Sequence, residues 1–488
     1  MSVDHDFQQR ADAVPRLGLG LSVDVYSPDL RDLMSRFDGR AFRPAYLEIF
    51  RATTTALKTV RQYLPVEPLA YHGEGLWITQ PDFSTAPFLD DELDEVATQL
   101  SILGSPWLNH ECATKQMGGY SFGTYLPPLY TVQSAGLVAD NIALVQERLD
   151  RRCRRKDAFG PLFLLEMSPL TYFMAGTISV PEYFRLITER TPCGLVLDIG
   201  HLWTLYRYSG ACRQSSLEHF LEQFLDEFPM ERVIEIHIAG LAVHEAQCDA
   251  LFPEGDPEWI DAHAARIPAL SWTILERVLG HPGLRNVRGV ALEVDTKPVE
   301  LIIEEFDQAF TRLGPAVAHL LRNETRPPHD PIPLRAANDD AERSVIDLRS
   351  LEADYVRYAQ IASGQRPPAG PLWQAVVEDP SGLARYIQVY LPHEILHWGG
   401  ELRDMFPDTC KGLTNEGLSL EEFVPWWFGT ARRIDRPYDF FLLKIDRLLE
   451  FVAERAPSLL SRARHEADAL REAYEGASVG GHQLMERS

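Results

Sequence analysis

Residues 195–203 read Leu-Val-Leu-Asp-Ile-Gly-His-Leu-Trp, and this stretch decides the fold. A short apolar run, preceded by the turn-forming residues 192–194 (Pro-Cys-Gly), ends at Asp198 and then turns through Gly200 to His201. The run predicts a buried parallel strand whose carboxyl end carries a carboxylate and, three residues on, an imidazole. Metal ions bind these two ligand types, and barrel enzymes place their chemistry at strand carboxyl ends.

Similar apolar segments recur before residue 296, and helix-like stretches separate them. The eight strand-like segments are 16–24, 44–50, 67–76, 105–111, 160–168, 193–200, 233–241 and 289–295. Apolar residues at helical spacing mark 90–103, 135–152, 180–190, 215–228, 269–279 and 299–313. This alternation predicts an α/β protein with a (β/α)8 TIM barrel. An open doubly wound sheet is the competing layout, but Gly18-x-Gly20 has no third glycine opening a helix, so a dinucleotide site is not predicted.

Composition shifts divide the chain further. We expect an N-terminal extension at 1–15, the barrel at 16–322 and a proline-rich polar linker at 323–345. Residues 346–477 predict a mainly helical C-terminal domain, and the glycine-rich end at 478–488 predicts a disordered tail. The amphipathic stretches of the C-terminal domain lie near 350–363, 383–404, 419–432 and 437–475.

Charge and cysteine usage limit the partners and the compartment. The 488 residues carry a formal net charge of −24, which argues against nucleic acid and is compatible with cations or a basic peptide. The six cysteines (112, 153, 193, 212, 248 and 410) form no Cys-x-x-Cys pair and predict free thiols in a reducing compartment. No apolar signal core and no membrane-length run is present, so we expect a cytoplasmic protein without a membrane partner.

Histidine and acidic residues recur at the predicted strand ends. The nine candidates are His72, His110, Glu166, Asp198, His201, His237 and Glu293, with Asp261 and His263 from the insertion after the seventh segment. A single histidine at a strand end is more often a hydrogen-bonding residue than a ligand, and a single carboxylate as often pairs with a cation or caps a helix. Five imidazoles and four carboxylates that converge would need shared cations to compensate their charge.

Nine ligands exceed the needs of one ion, so two or three metal ions bridged by carboxylates are predicted, with positions left open for substrate or oxygen. No cysteine belongs to the set, which leaves iron, manganese and zinc open. Further acidic residues could accept the second N–H of a ligating imidazole or be simple rim charges. They are Glu48, Glu74, Glu111, Glu235 and Asp295. Strand alternation puts Glu235 and His237 on one face, which favours that pair.

At these residues the sequence resembles a known family. The motifs are His72-Gly-Glu-Gly-Leu, Asn109-His110-Glu111, Leu126-Pro-Pro-Leu-Tyr-Thr131, Leu165-Glu166-Met-Ser-Pro169, Leu197-Asp198, Glu235-Ile-His237-Ile-Ala-Gly240, Asp261-Ala-His263 and Leu292-Glu293-Val-Asp295. In this order they are similar to those of the multinuclear non-heme iron-dependent oxidative enzymes, which include the methanobactin-biosynthesis oxidase. The resemblance implies a barrel with two or three irons bound by the nine residues. It also implies oxidation, with dioxygen, of residues of a ribosomally synthesised precursor peptide, usually cysteines.

One motif departs from the family pattern, which leaves the ligand set of a third metal open, and a second resemblance lies in the C-terminal region. Members of the family commonly have asparagines after the aspartate of the sixth segment, whereas Asp198-Ile-Gly-His201 is similar to the wider xylose-isomerase-like barrels. That group includes the three-metal endonuclease IV class. Residues 402–410, 423–428 and 438–441 resemble the helical partner protein that helps such oxidases capture the leader of their peptide, here fused to the barrel. A domain that only stabilises the barrel or forms a dimer is an equal alternative.

Three alternative functions remain open at this point. A metal-dependent phosphodiesterase or endonuclease would use two or three ions to clamp phosphate, although the acidic charge disfavours DNA. A sugar isomerase or epimerase would use two divalent ions and a base, for which Lys297 is the nearest candidate. A non-enzymatic metal scaffold with a peptide-binding C-terminal half is the third.

Overall fold

The computed structural model describes residues 2–153, 159–245, 257–321, 346–434 and 437–483. Eight parallel strands form a closed barrel in the spatial order β1-β12-β9-β8-β7-β4-β3-β2. Its strands are β1 (Gly18–Val23), β2 (Leu47–Phe50), β3 (Leu69–Gly73), β4 (Trp107–Glu111), β7 (Leu162–Glu166), β8 (Gly194–Asp198), β9 (Val233–Ile238) and β12 (Gly289–Glu293). Each lies within one of the eight predicted segments, so the predicted barrel is confirmed.

Helices surround the barrel and bury its outer face. They are α2 (Leu30–Phe37), α3 (Thr54–Tyr63), α4 (Leu89–Leu103), α5 (Val132–Arg152), α6 (Val180–Thr188), α7 (Ile199–Tyr208), α8 (Leu217–Glu227), α9 (Ala269–Leu279) and α10 (Val299–Leu321). Three of them, α2, α3 and α7, were not among the predicted helices. Helix α7 replaces the turn expected after Asp198, because the Asp198 side chain accepts the backbone N–H of His201 and caps the helix.

Two β-hairpins extend from the carboxyl ends of barrel strands, and the sequence did not predict their pairing. The first joins β5 (Thr114–Met117) to β6 (Tyr120–Leu126), and the second joins β10 (Leu241–Val243) to β11 (Trp259–Asp261). Gly118 and Gly119 connect the first pair with φ angles of 57° and 83°, which only glycine adopts without strain. The second hairpin brings Asp261 opposite Leu241 and thereby back to the barrel.

An N-terminal helix closes the amino-terminal end of the barrel. Helix α1 (Val3–Ala13) falls within the predicted extension and buries Phe7 and Ala11 in a cluster that includes Trp107 and Leu162. The Arg288 side chain donates hydrogen bonds to the Ala11 carbonyl oxygen and fixes the end of the helix. This end of the barrel is therefore filled by apolar side chains, and polar side chains collect at the other end.

The C-terminal region is mainly helical, as predicted. It contains α11 (Leu348–Ala362), α12 (Gln374–Glu378), α13 (Ser381–Arg385), α14 (Leu391–His397), α15 (Leu402–Met405), α16 (Pro407–Asn415), α17 (Phe423–Phe428), α18 (Phe440–Arg455) and α19 (Leu460–Gln483). Tyr386–Tyr390 forms a π-helical stretch between α13 and α14. Trp427 donates its indole N–H to the Ser121 carbonyl oxygen at 2.7 Å, so these helices pack on the β5–β6 hairpin.

The predicted segment boundaries between these parts stay predictions. The linker at 323–345 lies outside the described residues. Helix α19 is described to Gln483, which lies inside the segment 478–488. Residues 484–488 lie outside the described part of the chain. Among the described residues, no helix combines the length and the apolar character that crossing a bilayer requires.

We predict that Phe7→Ala lowers the free energy of unfolding by about 3 kcal/mol, because it leaves a cavity in the apolar cluster under the barrel. Chemical denaturation followed by circular dichroism measures this change. Gln9→Ala, on the exposed side of the same helix, is the matched control and should have little effect. An unchanged midpoint for Phe7→Ala would show that α1 does not stabilise the barrel.

Candidate metal centre at the barrel mouth

The carboxyl ends of the barrel strands bring polar side chains together. Parallel strands all end at the same rim, and alternate residues of each strand point into the barrel. The buried polar residues collected here are Glu48 of β2, His72 of β3, Asn109 and Glu111 of β4, Glu166 of β7, Asp198 of β8, Glu235 and His237 of β9, and Glu293 of β12. His201 joins them from the first turn of α7, and Asp261 and His263 join them from the second hairpin.

His237 lies at the centre of the cluster. Its Nδ1 is 3.3 Å from Glu166 Oε1 and 3.2 Å from Glu293 Oε1. On the opposite side of the ring, Nε2 is 3.1 Å from Glu48 Oε2 and 3.5 Å from Glu235 Oε2. Four carboxylates therefore surround one fully buried imidazole.

One group of side chains gathers on the Nδ1 side of His237. One ligand atom each of Glu166, Asp198, His237 and Glu293 lies within 4.8 Å of every other. Two adjacent ligands of one ion, each about 2.1 Å from it, lie about 3 Å apart. The distances from His237 Nδ1 to the Glu166 and Glu293 oxygens match this separation between neighbouring ligands. The group therefore has the spacing of side chains that bind a single metal ion.

A second group lies toward the hairpin of β10 and β11. His263 Nε2 is 3.0 Å from Asp261 Oδ2 and 3.4 Å from Glu293 Oε2, and His201 Nε2 is 3.5 Å from the same Asp261 oxygen. The other nitrogen of each ring is hydrogen-bonded. His201 Nδ1 lies 2.5 Å from the Met167 carbonyl oxygen, and His263 Nδ1 lies 2.5 Å from Asp295 Oδ1. Both Nε2 atoms therefore face the carboxylates.

A third group includes the carboxylate at the end of β4. Ligand atoms of His72, Glu111 and Glu166 all lie within 4.8 Å of one another. His72 Nε2 is 3.8 Å from Glu166 Oε2, and the Asn109 side-chain amide donates to that same oxygen at 2.7 Å. Glu166 thus belongs to two groups, and Glu293 links the first group to the second.

His110 is placed differently from the other predicted ligands. Its Nδ1 is 2.9 Å from the Glu111 carbonyl oxygen, and its Nε2 accepts the backbone N–H of Leu76 at 3.1 Å. Asn109 and Glu111 face into the barrel, so the residue between them faces outward. Both ring nitrogens of His110 are bonded to backbone. We therefore place Glu111, expected only as an outer partner, in the candidate set in place of His110.

The remaining acidic candidates surround these groups. Glu48 accepts the indole N–H of Trp107 at 3.0 Å, and Glu235 accepts the hydroxyl of Tyr46 at 2.5 Å, so both lie deep in the barrel below His237. Glu74 is separate: it accepts the Tyr125 hydroxyl at 2.8 Å and pairs with Lys115. The sequence did not single out Tyr46, Trp107 or Asn109, because their contacts join different strands.

The base considered for a sugar isomerase is paired with a carboxylate outside the candidate ligand set. Lys297 is buried and its Nζ donates to Glu305 Oε2 at 2.6 Å. Glu305 belongs to α10, so the charge of Lys297 is balanced by that helix.

Comparison with known proteins identifies the family. The family model for the RiPP precursor modification enzymes MbnB/TglH/ChrH, which act on ribosomally synthesised precursors, matches residues 17–312. The chain belongs to this family. A UPF0276 protein from Vibrio vulnificus is 24% identical over 218 residues, which cover 44% of this chain and 64% of that protein. A UPF0276 protein from Paraburkholderia phytofirmans is 28% identical over 228 residues, which cover 47% of this chain and 64% of that protein. The chain thus spans less than two thirds of these curated relatives.

Solved structures share the barrel fold of this MbnB/TglH/ChrH family member at low similarity. Endonuclease IV from Thermus thermophilus matches with a TM-score of 0.38 and 16% identity, covering 61% of this chain and 99% of that one. The protein SMc04130 from Sinorhizobium meliloti 1021 matches with a TM-score of 0.38 and 13% identity, covering 60% and 98%. These similarities concern the fold alone.

Buried atoms without partners test whether metal ions fit this family member. Among the described residues, several side-chain atoms of the cluster are buried and accept or donate no hydrogen bond. They are His72 Nδ1 and Nε2, Glu111 Oε2, Glu166 Oε1, Asp198 Oδ2, His237 Nδ1 and Nε2, Asp261 Oδ1 and Glu293 Oε2. A buried polar atom left without a partner costs free energy, and a cation coordinated by these lone pairs would remove that cost. The donor set of imidazoles and carboxylates fits iron, manganese or zinc.

The electrostatics of the cluster agree with this fit. Burial raises the pKa of Asp198 to about 6 and that of Glu235 to about 8. Burial lowers the pKa of His237, but Glu166 and the other surrounding carboxylates raise it well above its ordinary value. By contrast, burial lowers the pKa of His110 to about 4, because no carboxylate lies against its ring nitrogens. The neighbouring carboxylates also raise the pKa of Asp198 and Glu235, and a cation among them would relieve this repulsion.

We predict that Glu111→Ala reduces the metal bound per chain, whereas His110→Ala leaves it near the wild-type value. The carboxylate faces His72 and Glu166, while the imidazole is bonded to backbone. Elemental analysis by inductively coupled plasma mass spectrometry on both purified variants measures the difference. If His110→Ala lost metal and Glu111→Ala kept it, the assignment of the two adjacent residues would be reversed.

Proposed function

We propose that this chain oxidises a ribosomally synthesised precursor peptide, at cysteine, using dioxygen and two or three iron ions bound at the barrel mouth. The observation that carries the proposal is the convergence of four imidazoles and five carboxylates at the barrel mouth. Two of the imidazoles, those of His72 and His237, and all five carboxylates have buried polar atoms without hydrogen-bond partners among the described residues. Membership of the RiPP precursor modification family supports an enzyme that acts on a peptide. The iron, the dioxygen and the cysteine come from the resemblance described above.

The three groups would each hold one ion. Glu166, Asp198, His237 and Glu293 form the central site, and Glu166 is shared with a site completed by His72 and Glu111. Glu293 is shared with a third site formed by His201, Asp261 and His263. Shared carboxylates allow several cations to lie close together, because the bridging charge lowers their mutual repulsion. Bound iron with open coordination positions supplies the activation of dioxygen and an acceptor for the substrate thiolate.

The protein orients each ligand through an outer partner. The Met167 carbonyl oxygen fixes the ring of His201, and Asp295 fixes that of His263, so each ring presents Nε2 to the site. Glu48 and Glu235 lie 3.1 and 3.5 Å from Nε2 of His237, on the opposite side of the ring from Nδ1, which would face an ion. The pairing of Glu235 with His237 suggested by strand alternation fits this role, with Glu48 the closer carboxylate.

The peptide would approach from the side of the second hairpin. The side chains of Asp261 and His263 are 20% and 21% exposed, and that of Asp295 is 39% exposed. Glu166 and His237 are fully buried. Among the described candidate ligands, only Asp261 and His263 are more than 6% exposed, and burial of the others strengthens electrostatic interactions around them.

The C-terminal domain would hold the leader of the peptide. It packs directly on the β5–β6 hairpin: the Tyr438 hydroxyl donates to the Lys115 carbonyl oxygen at 2.8 Å, and the Arg432 N–H donates to that of Gly119 at 2.7 Å. The same hairpin carries Tyr125, whose hydroxyl donates to Glu74 beyond the end of β3. A peptide bound on these helices would thus be close to the barrel mouth. A purely stabilising domain or a dimer interface is the alternative.

The direct test uses protein prepared without oxygen and loaded with Fe(II). On addition of air and a cysteine-containing precursor peptide, we expect oxygen uptake and a mass change in the peptide, while the Cys→Ser peptide should remain unmodified. His237→Ala should abolish both signals, because it removes the central imidazole. Zinc content with phosphodiester cleavage and no oxygen uptake would overturn the proposal, and so would turnover of a sugar without oxygen.

Leader binding should not depend on the metal site. Fluorescence anisotropy with a labelled leader peptide should give the same dissociation constant for the wild-type chain and for Glu166→Ala, which loses a shared metal ligand. The reason is that the proposed leader surface lies on the helical domain rather than at the barrel mouth. If leader affinity disappeared together with the metal, the C-terminal domain would not be the binding site.

A further inference from the structure

A second cluster of metal-binding side chains lies outside the barrel mouth, on α14. Its residues His393-Glu394-Ile395-Leu396-His397 fit the pattern H-E-x-x-H. On a helix, residues four positions apart share a face, and this pattern places two imidazoles and a carboxylate on one side. The barrel-mouth site uses none of these residues.

The cluster is completed from the barrel. His244 follows β10, and its Nε2 lies 3.0 Å from Glu394 Oε1. His393 Nδ1 lies 3.1 Å from the same oxygen, and the rings of His244 and His393 have centroids 4.6 Å apart. Ligand atoms of the three residues all lie within 4.8 Å of one another. The two distances from the imidazole nitrogens to Glu394 Oε1 match the separation of about 3 Å between neighbouring ligand atoms of one metal ion.

His397, the second histidine of the pattern, does not face Glu394 in the way that a second metal ligand would. Its ring stacks on that of His393 with centroids 4.3 Å apart, and its Nδ1 contacts Glu401. In the usual pattern both histidines bind the ion and the glutamate acts as a base. Here His244 takes the place of His397, and Glu394 belongs to the ligand set.

We propose that His244, His393 and Glu394 bind a divalent transition-metal ion, zinc being the best match to two imidazoles and one carboxylate. Glu394 is 7% exposed, so its charge is largely removed from water and gains from a bound cation. The alternative is a network without metal, in which each imidazole donates one N–H to Glu394. The proposal does not depend on the function assigned to the barrel mouth.

The ion would connect the two parts of the chain. His244 directly follows the strand that pairs with β11, where Leu241 lies opposite Asp261. His393 and Glu394 belong to a helix of the C-terminal region, and the Tyr390 ring just before this helix is 4.9 Å from that of His244. A metal ion here therefore ties the hairpin that carries Asp261 to α14 and fixes the exposed edge of the barrel mouth.

The experiment titrates the metal-free full-length chain with Zn²⁺ alone, in a Glu166→Ala background that weakens the barrel sites. Bound zinc is counted by elemental analysis, and its affinity is measured by chelator competition. We expect His244→Ala and His393→Ala each to bind one ion fewer than the background protein, or to bind it at least about a hundredfold more weakly. His397→Ala is the matched control on the same helix and should bind zinc as the background protein does.

Two results would overturn the proposal. Equal zinc binding by all variants would identify the cluster as a metal-free hydrogen-bond network. Loss of zinc in His397→Ala with retention in His244→Ala would identify the usual H-E-x-x-H arrangement instead. Thermal melts without zinc separate these results from misfolding, because the histidine variants should melt near the background temperature. When zinc is added, the background protein and His397→Ala should gain more stability than His244→Ala and His393→Ala do.

Discussion

The structure depends on one constraint, which is the buried charge around His237. Four carboxylates approach a single imidazole to within 3.1–3.5 Å, and none of these side chains is more than 5% exposed. Hydrogen bonds from Trp107, Tyr46 and Asn109 satisfy only part of the carboxylate oxygens. Unpaired buried charge is costly, so protonation of some carboxyl groups or a bound cation must balance such a cluster. The outer partners and the proposed chemistry both relate to that requirement.

The parallel barrel is the architecture that meets this requirement. Its apolar amino-terminal end, closed by α1, supplies hydrophobic stabilisation, while all eight strands supply polar side chains at the opposite rim. The hairpins inserted at this rim then serve different purposes. The hairpin of β10 and β11 adds Asp261 to the cluster, and the hairpin of β5 and β6 forms the base on which the helical domain packs. The proposed second ion on α14 would strengthen the same connection.

The sequence predicts the barrel well, because strands covered on both faces appear as short apolar runs. It does not reveal which residues of such a strand face inward, since both faces are apolar. In β4 the sequence favours His110 as a candidate ligand, whereas in the structure Glu111 faces His72 and Glu166 and the ring of His110 contacts backbone. Helix α7 escaped detection for a different reason: it begins directly at the end of β8, where Asp198 is both the last residue of the strand and the N-cap of the helix. The partnership of Glu48 with His237 joins residues distant in sequence, and no local pattern indicates it.

The central claim is that the imidazoles and carboxylates at the barrel mouth share more than one metal ion. X-ray diffraction from crystals grown without oxygen in Fe(II), measured on both sides of the iron absorption edge, tests it most directly. We expect at least two anomalous peaks within bonding distance of Glu166 and its neighbours. His237 Nδ1 should bind the ion at one of these peaks. A barrel mouth without any anomalous peak, in which His237 donates hydrogen bonds to Glu166 and Glu293, would contradict it.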